Sequence, residues 1–253
     1  MKGKVYFIGA GPGNPELITV KGKRLLEEAD VVVYAGSLIN AELLKGVKAH
    51  LFDSARMTLE ETHSVLSRYV REGKKAVRLH SGDLSFYSAI TEQINLLKKD
   101  GIEFEVVPGV SSLGAGASAL GQELTIPEVS QSVIITRMEG RTPVPPLETI
   151  ASFAAHRATM VIFLSAAMIE KLAAELLKGG YAGDTPVAVV ERASWPDQRI
   201  IKGNVNDIAA KVKEAGIRKT ALIYVGPALR ASDEDLRTAS KLYDGNFSHG
   251  ERE

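Results

Sequence analysis

The chain has no cysteine among its 253 residues. Disulfide bonds, thiolate metal sites and a thiol nucleophile are therefore excluded, and a reducing cytoplasm is compatible with this composition. Neither sign of charge is in surplus, because Lys plus Arg and Asp plus Glu both number 31, so nothing indicates a nucleic-acid or anionic membrane partner. Long apolar runs are missing too, and Val5–Ile8 is too short for a signal peptide. We expect a soluble, cytoplasmic protein.

Several catalytic signatures are also missing. The five histidines have no metal-binding spacing, no Gly-x-Ser-x-Gly elbow is present, and no Gly-Lys-Ser/Thr ending follows a glycine loop. The sequence therefore predicts no metal site, no triad hydrolase and no nucleotide triphosphate site. The histidines are His50, His63, His80, His156 and His249.

Short β-rich runs alternate with helical patterns such as Leu59–Arg71, which predicts the α/β class with a parallel sheet in the first half. The runs form two sets, so we predict an N-terminal domain over 1–118, a C-terminal domain over 119–231 and a polar tail over 232–253. The join falls near 114–126, where small residues permit either tight packing or a ligand contact. The runs of the first set are Val5–Ile8, Val31–Tyr34, Ala76–Leu79 and Phe104–Val107, and those of the second are Val133–Thr136, Met160–Leu164, Val187–Val190, Ile200–Lys202 and Leu222–Val225.

The most informative stretch is Arg78–Tyr87. Gly82 and Asp83 follow an apolar run and precede an amphipathic run, Phe86–Leu97, so we place them where a strand ends and a helix begins. Open α/β sheets bind ligands at such positions. A small polar ligand carrying positive charge would suit the Asp83 carboxylate, and an ordinary turn is the alternative.

Two more loops follow strands of the first half. Gly9–Asn14 has the glycines of a dinucleotide loop, but Pro12 removes one N–H group and the next strand ends without the carboxylate that would hold a ribose. We expect this loop to serve a purpose other than phosphate binding. In Val106–Ser112, Ser111 and Ser112 either cap the following helix or face the same ligand as Asp83.

The second half offers two further loops. Thr136–Pro146 carries Arg137 and Arg141, which suit planar recognition of carboxylates or are simply solvated. Glu191–Asp197 carries the only tryptophan, Trp195, at a predicted strand end.

Six motifs in order along about residues 4–230 resemble the tetrapyrrole (corrin/porphyrin) methylases, and within that family the branch that methylates precorrin-4 at ring carbon C-11. The motifs are Val5–Gly13, Tyr34–Asn40, His80–Asp83, Pro108–Ser112, Glu123–Gln131 and Arg192–Pro196.

The resemblance implies an S-adenosylmethionine-dependent methyltransferase of cobalamin biosynthesis with two α/β domains, the cofactor in the cleft between them, and usually a homodimer. The implied cofactor residues are Gly82, Asp83, Tyr87, Ser111, Ser112, Leu164, Ala193, Val225, Gly226 and Pro227. The resemblance also implies that the Gly9–Gly13 loop, with Gly9, Gly11, Pro12 and Gly13, faces the tetrapyrrole substrate. Because the carboxylates of such a substrate need cations, the further candidates for binding it are Ser37, Arg137, Arg141 and Arg192, with Arg56 and Arg78 as additional cations.

The resemblance has one departure, because the family usually has proline where this chain has Leu84. Leucine lacks the fixed φ of proline but can adopt the same angle. A strong general base is not required, since a sulfonium methyl is already activated. The sequence leaves open whether the substrate ring carries cobalt. The alternatives are methylation of another corrin carbon or of uroporphyrinogen III, a diphthine synthase or ribosomal RNA methylase relative, and a non-catalytic tetrapyrrole-binding module.

Overall fold

The computed structural model describes residues 3–230, and the chain divides into two units. Among the described residues, the first unit contains 3–115 together with 193–197, and the second contains 116–192 and 198–230. Each unit holds one five-stranded sheet, which confirms the α/β class. The boundary at 118/119 stays a prediction of domain organisation, and the tail predicted for 232–253 lies outside the described residues.

The sheet of the first unit is parallel throughout, as the alternation of runs predicted. Its strands are β1 (Val5–Gly9), β2 (Val31–Tyr34), β3 (His50–Asp53), β4 (Ala76–His80) and β5 (Phe104–Val107). Their order in space is β3-β2-β4-β1-β5. The sequence analysis missed β3, because this edge strand has mostly exposed side chains and no apolar run.

Helices α1 (Val20–Glu27), α2 (Leu59–Arg71) and α3 (Ile90–Lys99) connect these strands, and α4 (Ser112–Leu120) follows β5. Helix α1 packs with Ile8 on one face of the sheet, whereas α2 and α3 pack with Phe7 on the other. The predicted bounds of α2 are confirmed. A capping box explains its start, because Thr58 and Glu61 exchange side-chain to backbone hydrogen bonds.

Helix α3 begins at Ile90, so the expected helix start beside Asp83 is wrong. The intervening residues form turns, with the Ser88 hydroxyl donating to the Leu84 carbonyl and Ala89 in the left-handed region at φ 51°. Leu84, which stands where the family usually has proline, is 3% exposed and belongs to the core beneath these turns. Burial of this side chain holds the loop without a proline ring.

The second unit contains all five strands of the second predicted set, but its sheet is mixed. The strands are β6 (Val133–Arg137), β7 (Thr159–Phe163), β8 (Pro186–Glu191), β9 (Arg199–Asn204) and β10 (Ala221–Val225), in the order β6-β7-β10-β8-β9. Only β6 and β7 are parallel neighbours. Strands β8 and β9 pair antiparallel because the short connection between them cannot make a parallel crossover.

Helices α5 (Ile150–Ala154), α6 (Ile169–Lys178) and α7 (Ile208–Glu214) complete the second unit. They pack in one cluster with the strand residues of one sheet face, including Met160 and Ile223. Tyr224 points to the other face, where its ring lies against Gly116 of α4. No helix within residues 3–230 is long and apolar enough to cross a membrane.

Candidate active site

Three glycine-containing loops meet at the carboxyl ends of three adjacent strands, β4, β1 and β5. A Cβ atom on Gly9 would lie 2.6 Å from both the Gly82 carbonyl oxygen and the Gly109 Cα. A Cβ atom on Gly109 would lie 2.2 Å from the same carbonyl oxygen. Only glycine permits backbones to approach this closely. We call Gly9, Gly82 and Gly109 the glycine junction.

Asp83 ties the junction together. Its carboxylate accepts hydrogen bonds from the Gly109 N–H at 2.9 Å and from the Ser85 N–H at 2.8 Å. Partial burial pushes the Asp83 pKa upward, but hydrogen bonds from Ser85, Gly109 and Leu84 outweigh this and hold the pKa below its usual range. The carboxylate is therefore charged at neutral pH and links the β4 and β5 loops.

The serines at the start of α4 adjoin the same loop. Ser111 Oγ accepts a hydrogen bond from the Leu113 N–H at 3.2 Å, so the capping role considered for Ser111 is confirmed. Gly82 has φ +64°, and its Cβ position would lie 3.8 Å from the Ser112 backbone nitrogen. The structure thus brings Gly82, Asp83, Ser111 and Ser112 together, and their contact with a cofactor stays a prediction.

The Gly9–Asn14 loop does not run into a long helix. A short 3-10 turn at Pro15–Leu17 follows it, and α1 begins only at Val20, capped by Thr19. Unlike a dinucleotide-binding loop, the Gly9–Asn14 loop therefore does not lead directly into the N-terminus of a long helix.

Strained backbone marks several of the predicted ligand residues. Outside glycine, a positive φ occurs at Tyr87 (53°), Leu164 (55°), Arg192 (49°) and Ser194 (66°), and at four other described residues. Leu164 is 70% exposed and Tyr87 is 45% exposed, which is unusual for large apolar side chains. Left-handed conformations of this kind concentrate at ligand sites.

Leu164 is held in this conformation by the next residue. Ser165 is fully buried, and its Oγ donates to the Phe163 carbonyl at 2.7 Å while accepting from the Met138 N–H at 2.9 Å. These bonds tie the end of β7 to the residue that follows β6. Sequence analysis missed Ser165, because a serine after a strand gives no sign that it will be buried.

The structure separates the cofactor residues predicted in the second half of the chain. Leu164 directly follows β7 and Ala193 comes two residues after the end of β8, and both strands run antiparallel to β10. Val225 is the last residue of β10, and Gly226 and Pro227 follow it. These residues therefore lie beside the starts of β7 and β8, at the opposite edge of the sheet from Leu164, about 13 Å away along a five-residue strand. Gly226 packs there against Ala158 and Thr159, since its Cβ position would lie 3.1 Å from each.

Arg137 and Arg141, in the loop that follows β6, differ in their surroundings. The Arg137 guanidinium donates to the carbonyl oxygens of Met138, Thr142 and Pro143, at 3.2, 3.2 and 2.7 Å, and so organises its own loop. Arg141 in the same loop is exposed. Contact of either residue with a substrate stays a prediction.

Arg78 is not available to a substrate carboxylate, contrary to the sequence-based suggestion. It is 8% exposed and donates to Gln93 Oε1, the Val33 carbonyl and Ser54 Oγ at 3.0 to 3.2 Å. Burial lowers its pKa to about 10. The alternation of β4 places this side chain on the face of the sheet that α3 covers.

His80 is a second buried polar residue that sequence reasoning left without a role. It is 6% exposed, and its Nε2 atom has no hydrogen-bond partner within residues 3–230. Burial, with the nearby Arg78 charge as a smaller cause, lowers its pKa to about 3. The ring is therefore neutral at neutral pH. Across the described part of the chain, no group of three or more His, Asp or Glu side chains is arranged to hold a metal ion.

The comparisons with known proteins agree with this architecture. The family model for Tetrapyrrole (Corrin/Porphyrin) Methylases matches residues 4–209. The chain belongs to the tetrapyrrole methylase family. The family predicted from the six motifs is confirmed.

This tetrapyrrole methylase is similar along nearly its whole length to named relatives. It is 56% identical over 248 residues to the cobalt-precorrin-4 C(11)-methyltransferase of Methanocaldococcus jannaschii, covering 97% of this chain and 95% of that one. A crystal structure of a cobalt-precorrin-4 methyltransferase has a TM-score of 0.88 at 48% identity, covering 89% of this chain and 95% of that one. The uroporphyrin-III C-methyltransferase of Thermus thermophilus, complexed with S-adenosylhomocysteine, has a TM-score of 0.76 at 31% identity, covering 90% and 99%.

Proposed function

We propose that this protein transfers a methyl group from S-adenosylmethionine to ring carbon C-11 of cobalt-precorrin-4, or of cobalt-free precorrin-4, in cobalamin biosynthesis. The observation that carries the proposal is the 56% identity over 97% of the chain to a cobalt-precorrin-4 C(11)-methyltransferase. Identity to the uroporphyrin-III enzyme is much lower, at 31%. This difference favours the precorrin-4 branch over the uroporphyrinogen alternative.

The residues around the glycine junction fit a cofactor that carries an ammonium group, ribose hydroxyls and a flat base. Asp83 supplies a charged carboxylate, Ser111 and Ser112 supply hydroxyl groups, and the partly exposed Tyr87 ring supplies an apolar surface. We propose that these residues and Gly82 hold S-adenosylmethionine. In the second half of the chain, we assign Leu164 and Ala193 to the cofactor and leave Val225–Pro227 out, because those residues lie at the other sheet edge.

S-adenosylmethionine, when bound, supplies a methyl group that is already activated by its sulfonium sulfur. The protein must therefore hold the ring carbon in line with the methyl group and exclude water. The junction suits this task, since its close backbone contacts fix the three loops relative to one another. No strong base is needed, and His80, which precedes the Gly-Asp loop, is uncharged.

For the tetrapyrrole, we propose that Gly9–Gly13 and Ser37 line its binding surface. Ser37 is exposed after β2, and Asn40 of the same segment donates to the Gly13 carbonyl at 2.9 Å. Arg141 and Arg192 would pair with substrate carboxylates, and Arg137 would keep the Arg141 loop in shape. We further propose that the enzyme works as a homodimer in the cytoplasm, which light scattering and cell fractionation would test.

Measuring turnover distinguishes an enzyme from a non-catalytic tetrapyrrole-binding module. The protein is incubated anaerobically with S-adenosylmethionine and, in separate reactions, precorrin-4, cobalt-precorrin-4 and uroporphyrinogen III. We expect one methyl group to be added to a precorrin-4 substrate, with no transfer when S-adenosylhomocysteine replaces the cofactor. Binding without transfer would support the binding module, and a methylated uroporphyrinogen would support the other branch.

A further inference from the structure

The loop Gly9–Asn14, here called the glycine loop, is held along its whole backbone. The Ala10 N–H donates to the His80 carbonyl at 2.7 Å. Gly11 and Gly82 exchange two backbone hydrogen bonds, at 2.8 and 3.2 Å. The first half of the loop is thereby fixed to the end of β4.

Trp195 holds the second half of the loop. Its indole Nε1 donates to the Pro12 carbonyl at 2.9 Å. The edge of the same ring lies against Gly13, where a Cβ atom would come within 2.0 Å of Trp195 Cδ1. Gly13 has no positive φ, so the indole and not the backbone conformation is what excludes a side chain at this position.

Two more side chains complete this contact. The Asn14 N–H donates to Ser194 Oγ at 3.0 Å, and the Asn40 side-chain amide donates to the Gly13 carbonyl at 2.9 Å. Ser194 adopts a left-handed conformation at φ 66°. The segment 193–197 therefore takes a strained path while belonging, by its contacts, to the first unit.

We infer that Trp195 is a positioning residue that fixes the second half of the glycine loop, Pro12–Asn14, for the tetrapyrrole. This inference rests on the proposed function, because the glycine loop is assigned to the substrate there. A large planar side chain that both packs on Gly13 and donates to Pro12 removes the freedom that a loop with three glycines would otherwise keep. Asn40 and Ser194 assist from either side.

The inference is tested by a double-mutant cycle of Gly13→Ala and Trp195→Ala. In the wild-type background, Gly13→Ala should reduce kcat/KM for the tetrapyrrole at least tenfold, since the new methyl group collides with the indole. In the Trp195→Ala background the same change should cost less than threefold. Calorimetric affinity for S-adenosylhomocysteine should stay within twofold in all four proteins.

Trp195→Phe separates the two contacts, because it keeps an aromatic ring and removes the N–H donor. We expect kcat/KM between those of wild type and Trp195→Ala. Equal effects of Gly13→Ala in both backgrounds, or a parallel loss of cofactor affinity, would overturn the inference.

A ligand-free measurement keeps the inference separate from the proposed function. Trp195 is the only tryptophan, so the tryptophan emission spectrum reports the surroundings of this side chain alone. Gly13→Ala and Asn40→Ala should each shift the emission maximum to longer wavelength without any ligand, as the indole becomes more exposed to water. An unchanged spectrum in both would show that the indole does not hold the loop. A wild type that binds no tetrapyrrole, with the shifts present, would refute the substrate assignment and with it the positioning role.

Discussion

At the scale of single residues, Asp83 has two tasks that a substitution can separate. It contributes charge to the proposed cofactor site, and it also holds the Gly109 N–H of the neighbouring loop. We predict that Asp83→Ala weakens S-adenosylhomocysteine binding by about 1 to 3 kcal/mol. Asp83→Asn keeps an acceptor for Gly109 and should weaken binding less. Calorimetry on the three proteins measures this, and unchanged affinity in Asp83→Ala would remove Asp83 from the site.

His80 makes stability depend on pH. Its pKa is about 3 in the folded protein against an ordinary value of 6.5. Between these values the unfolded chain takes up a proton that the folded chain does not, so the free energy of unfolding falls as pH drops below 6.5. We predict a loss of about 2 kcal/mol between pH 7 and pH 5, on the order of 1.4 kcal/mol per pH unit.

Urea unfolding across this pH range checks the prediction. His80→Gln should lose this part of the pH dependence, whereas His156→Gln, at an exposed position, should keep it. Parallel stability curves for wild type and His80→Gln would show that His80 is not buried in its neutral form.

What the sequence could reveal at this scale depends on local motifs. Gly82 and Asp83 were found because a glycine and an acid after an apolar run form a recognisable pattern. Trp195 was noticed as a tryptophan at a strand end and as part of a family motif, but its contact with Pro12 and Gly13 could not be predicted, since these residues lie more than 180 positions away. Arg78 was wrongly suggested as a cation for substrate carboxylates. Its position near a strand end does not reveal which face of the sheet its side chain occupies.

At the scale of elements, α4 contains two glycines with opposite surroundings. Gly114 is exposed with no atom near its Cβ position, whereas a Cβ atom on Gly116 would lie 2.1 Å from the Tyr224 hydroxyl oxygen. We predict that Gly114→Ala stabilises the protein by about 0.5 to 1 kcal/mol, because alanine favours helix. Gly116→Ala should destabilise it by about 1 to 3 kcal/mol through overpacking.

Thermal and urea unfolding of the two variants provide the measurement, with each serving as the control for the other. Similar effects of both substitutions would mean that the small residues of α4 reflect helix composition and not close packing on Tyr224.

The elements themselves were largely predictable, and their arrangement was less so. Nine of the ten strands within residues 3–230 coincide with β-rich runs of the sequence, because most of these strands are buried and need apolar side chains. The edge strand β3 does not coincide with any such run. The antiparallel pairing of β10 with β7 and β8 depends on contacts distant in sequence, so nothing local indicated that Leu164 and Val225 would lie at opposite edges.

At the scale of the whole molecule, the chemistry proposed here needs no metal held by the protein. The histidines are scattered in sequence, and a sulfonium needs no Lewis acid to release its methyl group. We predict that methyl transfer survives exhaustive chelation with EDTA, using a substrate whose cobalt, if present, is already enclosed by the ring. Activity that is lost on chelation and restored by one added metal ion would contradict this.

The family was predictable because six separate motifs in the right order are far more specific than any one of them. The presence of cobalt in the substrate could not be predicted, since neither the cobalt-containing nor the cobalt-free ring requires a metal ligand from the protein. The structure adds the physical reason for several motif residues: Gly9 and Gly109 allow their backbones to approach the Gly82 carbonyl, Gly82 itself has φ +64°, and Gly13 leaves room for the indole of Trp195.

The position of the new methyl group tests the proposed C-11 methyltransferase activity most directly. The protein is incubated with precorrin-4 or cobalt-precorrin-4 and S-adenosylmethionine labelled with carbon-13 in its methyl group, and the product is examined by carbon NMR. We predict a single labelled methyl group, bonded to ring carbon C-11. A label on any other ring carbon, or no transfer by a protein that binds the cofactor, would contradict it.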